Sequence, residues 1–491
     1  MTALNSRTLS DFGAPVSTPT YDRTGIRTGI VHFGVGGFHR AHQARYLDLL
    51  LELGVAREWG ICGVGVLAQD HRMSEVMVEQ DCLYTLCITE PDGTWIPRVV
   101  GSIVDYRYAP ADPEAVIEKL AHPDTRIVSL TITEGGYNIS ATTGEFDVAN
   151  PAIRADLAPG AVPATVFGLV TEALSRRKAR GTAPFTIMSC DNIQGNGHVA
   201  RTCFTAFARL RDPELADWLA HEGAFPNSMV DRITPATTAA MTAELTRRFG
   251  IDDGWPVATE PFMQWVLEDA FTLGRPDFGR VGVQLVEDVA PYELMKLRML
   301  NASHQALCYL GHLAGYRLVH EVVQDPTFTQ FLLRYMDKEA RPTLLPVPGI
   351  DLDAYRDTLI ERFSNAAIGD TVARLCAESS DRIPKWLLPV VRSQLAEGGE
   401  IVCAATVVAA WARYCEGIDE QGEPIDVVDP LRDRLMALAR RQRDDPTVFL
   451  SDRSVFGNLI DEPRFVAAYR TALASLHTRG ARATVVDLLR E

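Results

Sequence analysis

The sequence predicts an α/β amino-terminal domain followed by a mainly α-helical one, and three observations carry that prediction. Short apolar, β-rich runs (GIVHFGVGG, WGICGVGV, RIVSLTITEGG and FTIMSCDN) alternate with helical stretches through the first half, the pattern of a parallel sheet covered by helices. A last strand-like alternation at Val281, Val283 and Leu285 is followed by Pro291, which opens a long apolar helix from Tyr292 onward. Beyond it, YRDTLIERFSN, EIVCAATVVAAWARYCEG and PRFVAAYRTALASL read as helices joined by proline-containing turns such as RPTLLPVPGID. The boundary therefore falls at Pro291, giving domains 1–290 and 291–491.

Each element follows from its own residues. TVFGLVTEALSRRKARG has helical periodicity and ends at Gly181, a C-capping glycine, so it reads as a crossover helix between strands. Residues 1–25 lack the basic start, apolar run and small-residue cleavage site of a signal peptide and read as a surface arm. The most apolar later stretch, Ile401 to Ala412, is broken by Arg413 and is shorter than the roughly 20 residues a membrane span needs.

At 491 residues the chain exceeds what one core usually supports, and 46% hydrophobic with 23% charged residues is the balance of a globular protein. A net charge of -16, uninterrupted by any long basic block, repels phosphate backbones and excludes nucleic-acid binding. Nine cysteines with no C-x-x-C pair read as reduced thiols of a cytoplasmic protein.

The turn Gly34-Val35-Gly36-Gly37 follows an apolar strand and precedes FHRAHQARYLDLLL, a strand-turn-helix fit to receive a pyrophosphate on backbone N–H groups. His39 takes the place of the third glycine of G-x-G-x-x-G, so an ordinary glycine turn is the competing reading of this motif alone. The surrounding strand-helix alternation favours the cofactor reading, a Rossmann-type domain. Asp70 follows the second strand, where a carboxylate accepts hydrogen bonds from an adenosine ribose and repels a 2′-phosphate, which favours NAD over NADP. Arg72, two residues on, is placed to receive that phosphate instead, and an exposed loop pair without a cofactor role is the third possibility.

The most informative window is YELMKLRMLNASH. On an ideal α-helix Lys296, Glu293, His304 and Asn301 fall at about 0°, 60°, 80° and 140°, one broad face. A lysine amid Leu, Met and Ala loses hydration, which disfavours its ammonium form and suits it to deprotonate an alcohol. Arginine cannot do this, and only five of the 48 basic residues are lysine. The competing reading is a snorkelling side chain. Asn301 has an amide to donate to a developing alkoxide and His304 a ring to orient the hydroxyl; a helix-bending amide and a satisfied core histidine are their plainer roles.

Lys296-x4-Asn301-x2-His304, GVGGFHRAH, SLTITEGGYN and PNSMVDRITP, in this order over nearly the whole chain, resemble the mannitol dehydrogenase family of polyol-specific long-chain dehydrogenases. The resemblance implies hydride transfer from a linear polyol to NAD, D-mannitol to D-fructose being the leading pair. It implies Lys296 as acid/base, Asn192 and Asn301 as stabilisers of the oxygen, His304 as a positioning group and Glu293 as the carboxylate linking Lys296 to solvent. Glu134 in TEGGYN is implied as part of the active-site wall beside the cofactor, with Gly34, Gly36, Gly37 and Phe38 at the dinucleotide. Asp231, Arg374 and Arg382 match positions that contact the polyol's other hydroxyls; loop or helix ion pairs are the alternative. Position 382 is lysine in the mannitol-specific pattern, so the arginine puts the polyol itself in question.

No metal is implied. His32, His39 and His42 cluster within the glycine turn without a cysteine pair, which reads as packing of the cofactor loop rather than a zinc site. D-arabinitol or D-sorbitol oxidation is the runner-up. Arg374 and Arg382 also suit a carboxylate clamp, which makes a hexuronate reductase a further alternative. A nicotinamide-binding sensor without turnover is the reading from another class, and a monomer is the state the family resemblance favours.

Overall fold

The computed structural model describes residues 1–140 and 144–490. The chain divides into two compact units: 1–90 with 94–290, and 291 onward, which also takes in 91–93.

The first unit is built on five parallel strands, β1 (Thr28–Phe33), β2 (Gly60–Gly65), β3 (Ile103–Tyr108), β4 (Ile127–Leu130) and β5 (Thr186–Ser189), in the order β3-β2-β1-β4-β5. All four pairings are parallel. This is the doubly wound order, with its switch point between β1 and β4. Successive side chains point to opposite faces, both covered, which explains why the inner strands are buried and largely apolar, whereas the edge strand β3, IVDYRY, carries Asp105 and Arg107. Val31, Phe33, Val64, Val128 and Ile187 join a core with Phe167 and Phe204, whereas Ile30, Ile61, Ile127 and Met188 join another with Leu47, Leu50 and Trp59.

The predicted crossover helix spans Val166–Ala179, with the Thr165 hydroxyl accepting from the Gly168 amide at its start and Gly181 in the left-handed region just past its end. The amino-terminal arm is pinned to the unit rather than trailing over it. Thr2–Ala3 pairs in parallel with Ile251–Asp252, and the Arg23 guanidinium donates to the carbonyls of Asp81, Gly101 and Ile103. Three-stranded sheets also form, one of them from Ser228–Asp231, Gln264–Glu268 and Gln284–Val286. The last of these is shorter than the alternation at 281–285 implies. Gly282 takes φ +93°, so Val281 closes a single 3-10 turn before the strand begins.

The second unit is helical. Its longest segments include Ala302–Leu313, Leu352–Phe363, Val402–Tyr414 and Pro463–Arg479. Val402–Tyr414 is buried almost throughout and packs on both Ala302–Leu313 and Pro463–Arg479. Among the described residues no helix is long and apolar enough to cross a membrane.

Candidate active site

The glycine turn sits where the switch point requires. Gly34 leaves β1 at φ +90°, and a Cβ there would fall 2.0 Å from the carbonyl oxygen of Thr131, just past β4. Only glycine lets the two strand ends approach so closely. Gly36 is exposed and open, a side-chain position whose nearest atom would be 3.9 Å away, and Gly37 starts the short helix Gly37–Ala41. Phe38 is half-buried, its ring 4.9 Å from that of His42. The helix is not continuous as the sequence pattern implies: His42, at φ -115° and ψ -92°, breaks it before Gln43–Glu52.

The three histidines pack this turn. His32 and His39 stack 3.4 Å apart, His32 is held by Ser129 Oγ at 2.8 Å and Thr131 Oγ1 at 2.9 Å, and His42 Nε2 meets the Gln264 carbonyl at 2.8 Å. Burial drives the His32 pKa down to about 3 and that of His39 well below the ordinary range, so these rings are neutral. Among the described residues no group of three or more His, Cys, Asp or Glu is arranged to hold a metal ion.

Asp70 lies past β2, where one carboxylate oxygen accepts from the amides of Val66 (2.8 Å) and Leu67 (2.9 Å) and closes the loop. Arg72 is exposed and lies over the Trp255 ring at 5.0 Å. Glu134 is exposed on the short turn Thr133–Gly136 after β4, and Asn192 is exposed after β5. Gly34, Asp70, Glu134 and Asn192 thus all follow the carboxyl ends of sheet strands. Asp231 is buried, at the end of Ser228–Asp231.

Sequence reasoning passes over Asp191, which joins the ends of β4 and β5. Its carboxylate accepts from the amides of Ile132 (3.1 Å) and Thr133 (2.8 Å) and from the Tyr137 hydroxyl (2.8 Å). Burial pushes its pKa up, against the lowering effect of those three donors. Thr133 is held at φ +64°, a region costly for a β-branched residue, so this carboxylate fixes a strained turn beside Glu134.

In the second unit the helix Ala290–Met295 passes into a π turn, Lys296–Asn301, and resumes as Ala302–Leu313. This corrects the ideal-helix angles. A π turn closes its hydrogen bond over five residues and advances roughly 80° per residue, which places Asn301 at about 40° from Lys296 and His304 at about -20°. The broad face becomes a narrow one. Lys296 and Glu293 are each 8% exposed and Asn301 4%; the His304 ring lies 4.6 Å from Phe363. Two further π turns, Tyr335–Ala340 and Ile383–Leu387, pack against this one, and the Tyr335 hydroxyl donates to the Arg298 carbonyl within it at 3.1 Å.

Arg374 and Arg382 are neighbours. Arg382 donates to the carbonyls of Arg374 (3.1 Å) and Leu375 (3.3 Å) and to Glu378 (3.1 Å). Arg374 meets both carboxylate oxygens of Asp370 at 2.6 Å, which raises its pKa further. Both guanidinium charges are therefore already met by carboxylates.

Residues 28–279 match the family described as the mannitol dehydrogenase Rossmann domain, and residues 288–477 the mannitol dehydrogenase C-terminal domain. A mannitol 2-dehydrogenase of Phaeosphaeria nodorum is 48% identical over 99% of this chain and 85% of its own length, and one of Aspergillus fumigatus is 47% identical over 98% of each. Among solved structures, the ternary complex of Pseudomonas fluorescens mannitol 2-dehydrogenase with NAD and D-mannitol is 46% identical, with a TM-score of 0.89 and full coverage of both chains. A D-sorbitol dehydrogenase in substrate-free form is 41% identical, with a TM-score of 0.93, covering 99% of this chain and 100% of its own.

Proposed function

The chain belongs to the mannitol dehydrogenase family, and from that premise we propose that it is an NAD-dependent oxidoreductase converting D-mannitol to D-fructose, with Lys296 as acid/base. The observation that carries the chemistry is the π turn, which gathers Lys296, Asn301 and His304 on one narrow, largely buried face.

The glycine turn fits NAD: the side-chain position of Gly36 is open and exposed, leaving its backbone accessible to a pyrophosphate. Gly34, Gly36, Gly37 and Phe38 hold the cofactor, Asp70 takes the adenosine ribose with its remaining carboxylate oxygen, Arg72 is held aside on Trp255, and Glu134 stands at the cofactor side of the wall. Bound NAD supplies the hydride acceptor.

The residues of this chain handle the oxygen and its proton. Neutral Lys296 Nζ accepts the proton of the reacting hydroxyl. Asn301 and Asn192 donate amide hydrogens to that oxygen as negative charge develops, and His304 orients it. Glu293, one turn before Lys296, passes the proton on toward solvent. Asp231, Arg374 and Arg382 bind the remaining hydroxyls. Because Asp370 and Glu378 already face the two guanidiniums, hydroxyl recognition suits them better than capture of a substrate carboxylate. The working unit we propose is a cytoplasmic monomer, with the boundary between its domains in the sequence at Pro291.

The test is NAD-dependent turnover, with a chelator present, over D-mannitol, D-sorbitol, D-arabinitol, D-fructose and a hexuronate. Highest kcat/KM on D-mannitol supports the proposal, and preference for the hexuronate overturns it.

A further inference from the structure

A closed polar network deep in the second unit has no part in the chemistry above. Gln305, Tyr309 and Ser379 are 0%, 0% and 1% exposed. Gln305 Nε2 donates to the Leu375 carbonyl at 3.2 Å. The Tyr309 hydroxyl donates to Gln305 Oε1 at 2.5 Å and lies 2.5 Å from Ser379 Oγ, whose own proton is shared between Tyr309 and the Cys376 carbonyl, 2.7 Å away. Two of these residues stand on Ala302–Leu313, immediately after His304; the groups they grip belong to the segment from Arg374 to Arg382.

We propose that Gln305, Tyr309 and Ser379 are positioning residues that set the polyol specificity of this enzyme, by fixing the register of the Arg374–Arg382 segment against the helix that carries His304. The inference rests on the polyol reading given above. The Leu375 carbonyl is the point of transmission: it accepts from Gln305 Nε2 at 3.2 Å and from Arg382 at 3.3 Å, so the arginine proposed to read the far hydroxyls is tied to the catalytic helix through one shared acceptor. An apolar interface between the same helices tolerates sliding, because dispersion contacts have no direction, whereas the two buried polar contacts that cross it, Gln305 to Leu375 and Tyr309 to Ser379, each braced by a contact within its own segment, define one register. The distance between the reacting carbinol and the hydroxyls read by Arg374 and Arg382 is thereby fixed, and with it the length of polyol that meets both.

The experiment compares wild type with Tyr309→Phe, Ser379→Ala and Ser379→Thr on six-carbon D-mannitol and five-carbon D-arabinitol, following kcat, polyol KM, KM for NAD and thermal midpoint. Tyr309→Phe and Ser379→Ala are expected to raise the mannitol KM about tenfold, the factor that loss of one or two buried hydrogen bonds produces. They narrow the mannitol-to-arabinitol preference, with kcat and KM for NAD within about threefold, and Ser379→Thr restores the wild-type values. An unchanged mannitol KM in the folded variants overturns the inference. So does a uniform loss of every parameter, or failure of both variants to fold, since either assigns the network to stability alone. Absence of wild-type turnover on any polyol overturns instead the reading on which it rests.

Discussion

Glu339 gives the second unit a pH-dependent weak point. It is 1% exposed, and its two oxygens accept from the amides of Cys403 and Ala404 at 2.5 and 2.8 Å, capping the buried helix Val402–Tyr414. Burial raises its pKa from 4.5 to about 7, with nearby Glu400 adding to the rise and the two amides opposing it. A carboxyl whose folded pKa is raised favours folding while protonated; that contribution is complete below the ordinary value and is lost as pH climbs through the folded one. At about 1.4 kcal/mol per pH unit, the full loss is about 3–4 kcal/mol, most of which falls between pH 5 and pH 8. Glu339→Gln mimics the protonated form and removes the dependence. Urea unfolding of both proteins at pH steps from 5 to 8 should show the variant gaining on wild type by about 2–3 kcal/mol across that range, the difference cancelling every other titrating group. Parallel stability curves would refute the reasoning.

Other outcomes follow from the first unit. Gly34→Ala places a methyl 2.0 Å from the Thr131 carbonyl at φ +90°, and should weaken NAD binding at least about tenfold by fluorescence titration; an unchanged Kd contradicts the placement of the dinucleotide. Asp191→Asn turns an amide NH2 toward one of three donors and should destabilise the protein by about 1–3 kcal/mol while lowering kcat; a stability within about 0.5 kcal/mol of wild type removes Asp191 from the argument. Exhaustive dialysis against a chelator should leave turnover unchanged, and a loss recovered by added zinc contradicts the metal-free chemistry.

Much of this architecture is written locally. The strands β1, β2, β4 and β5 are largely apolar and buried because both faces of the sheet are covered, and the crossover helix ends at Thr165 and Gly181. The glycine turn was legible for the same reason, since Gly34 answers a local backbone demand. The π turn was not. Nothing in KLRMLN distinguishes it from an α-helix, and the segments it packs against, Tyr335–Ala340 and Ile383–Leu387, lie dozens of residues away. Period-3.6 reasoning therefore gave these residues the wrong angles, overstating the separation of Lys296 and Asn301. Asp191 was hidden because its partners at 132, 133 and 137 come near only when β4 and β5 pair. The Gln305 bond to Leu375 spans 70 residues, which no motif spacing encodes.

The central claim is that Lys296 carries the proton in polyol oxidation. Wild type and Lys296→Ala should be compared for NAD affinity, thermal midpoint and the pH profile of kcat/KM on D-mannitol. Intact folding and cofactor binding with turnover down by at least about a hundredfold, and partial recovery with added primary amines, are the expected results. Near-wild-type turnover with an unaltered pH profile would contradict that role for Lys296.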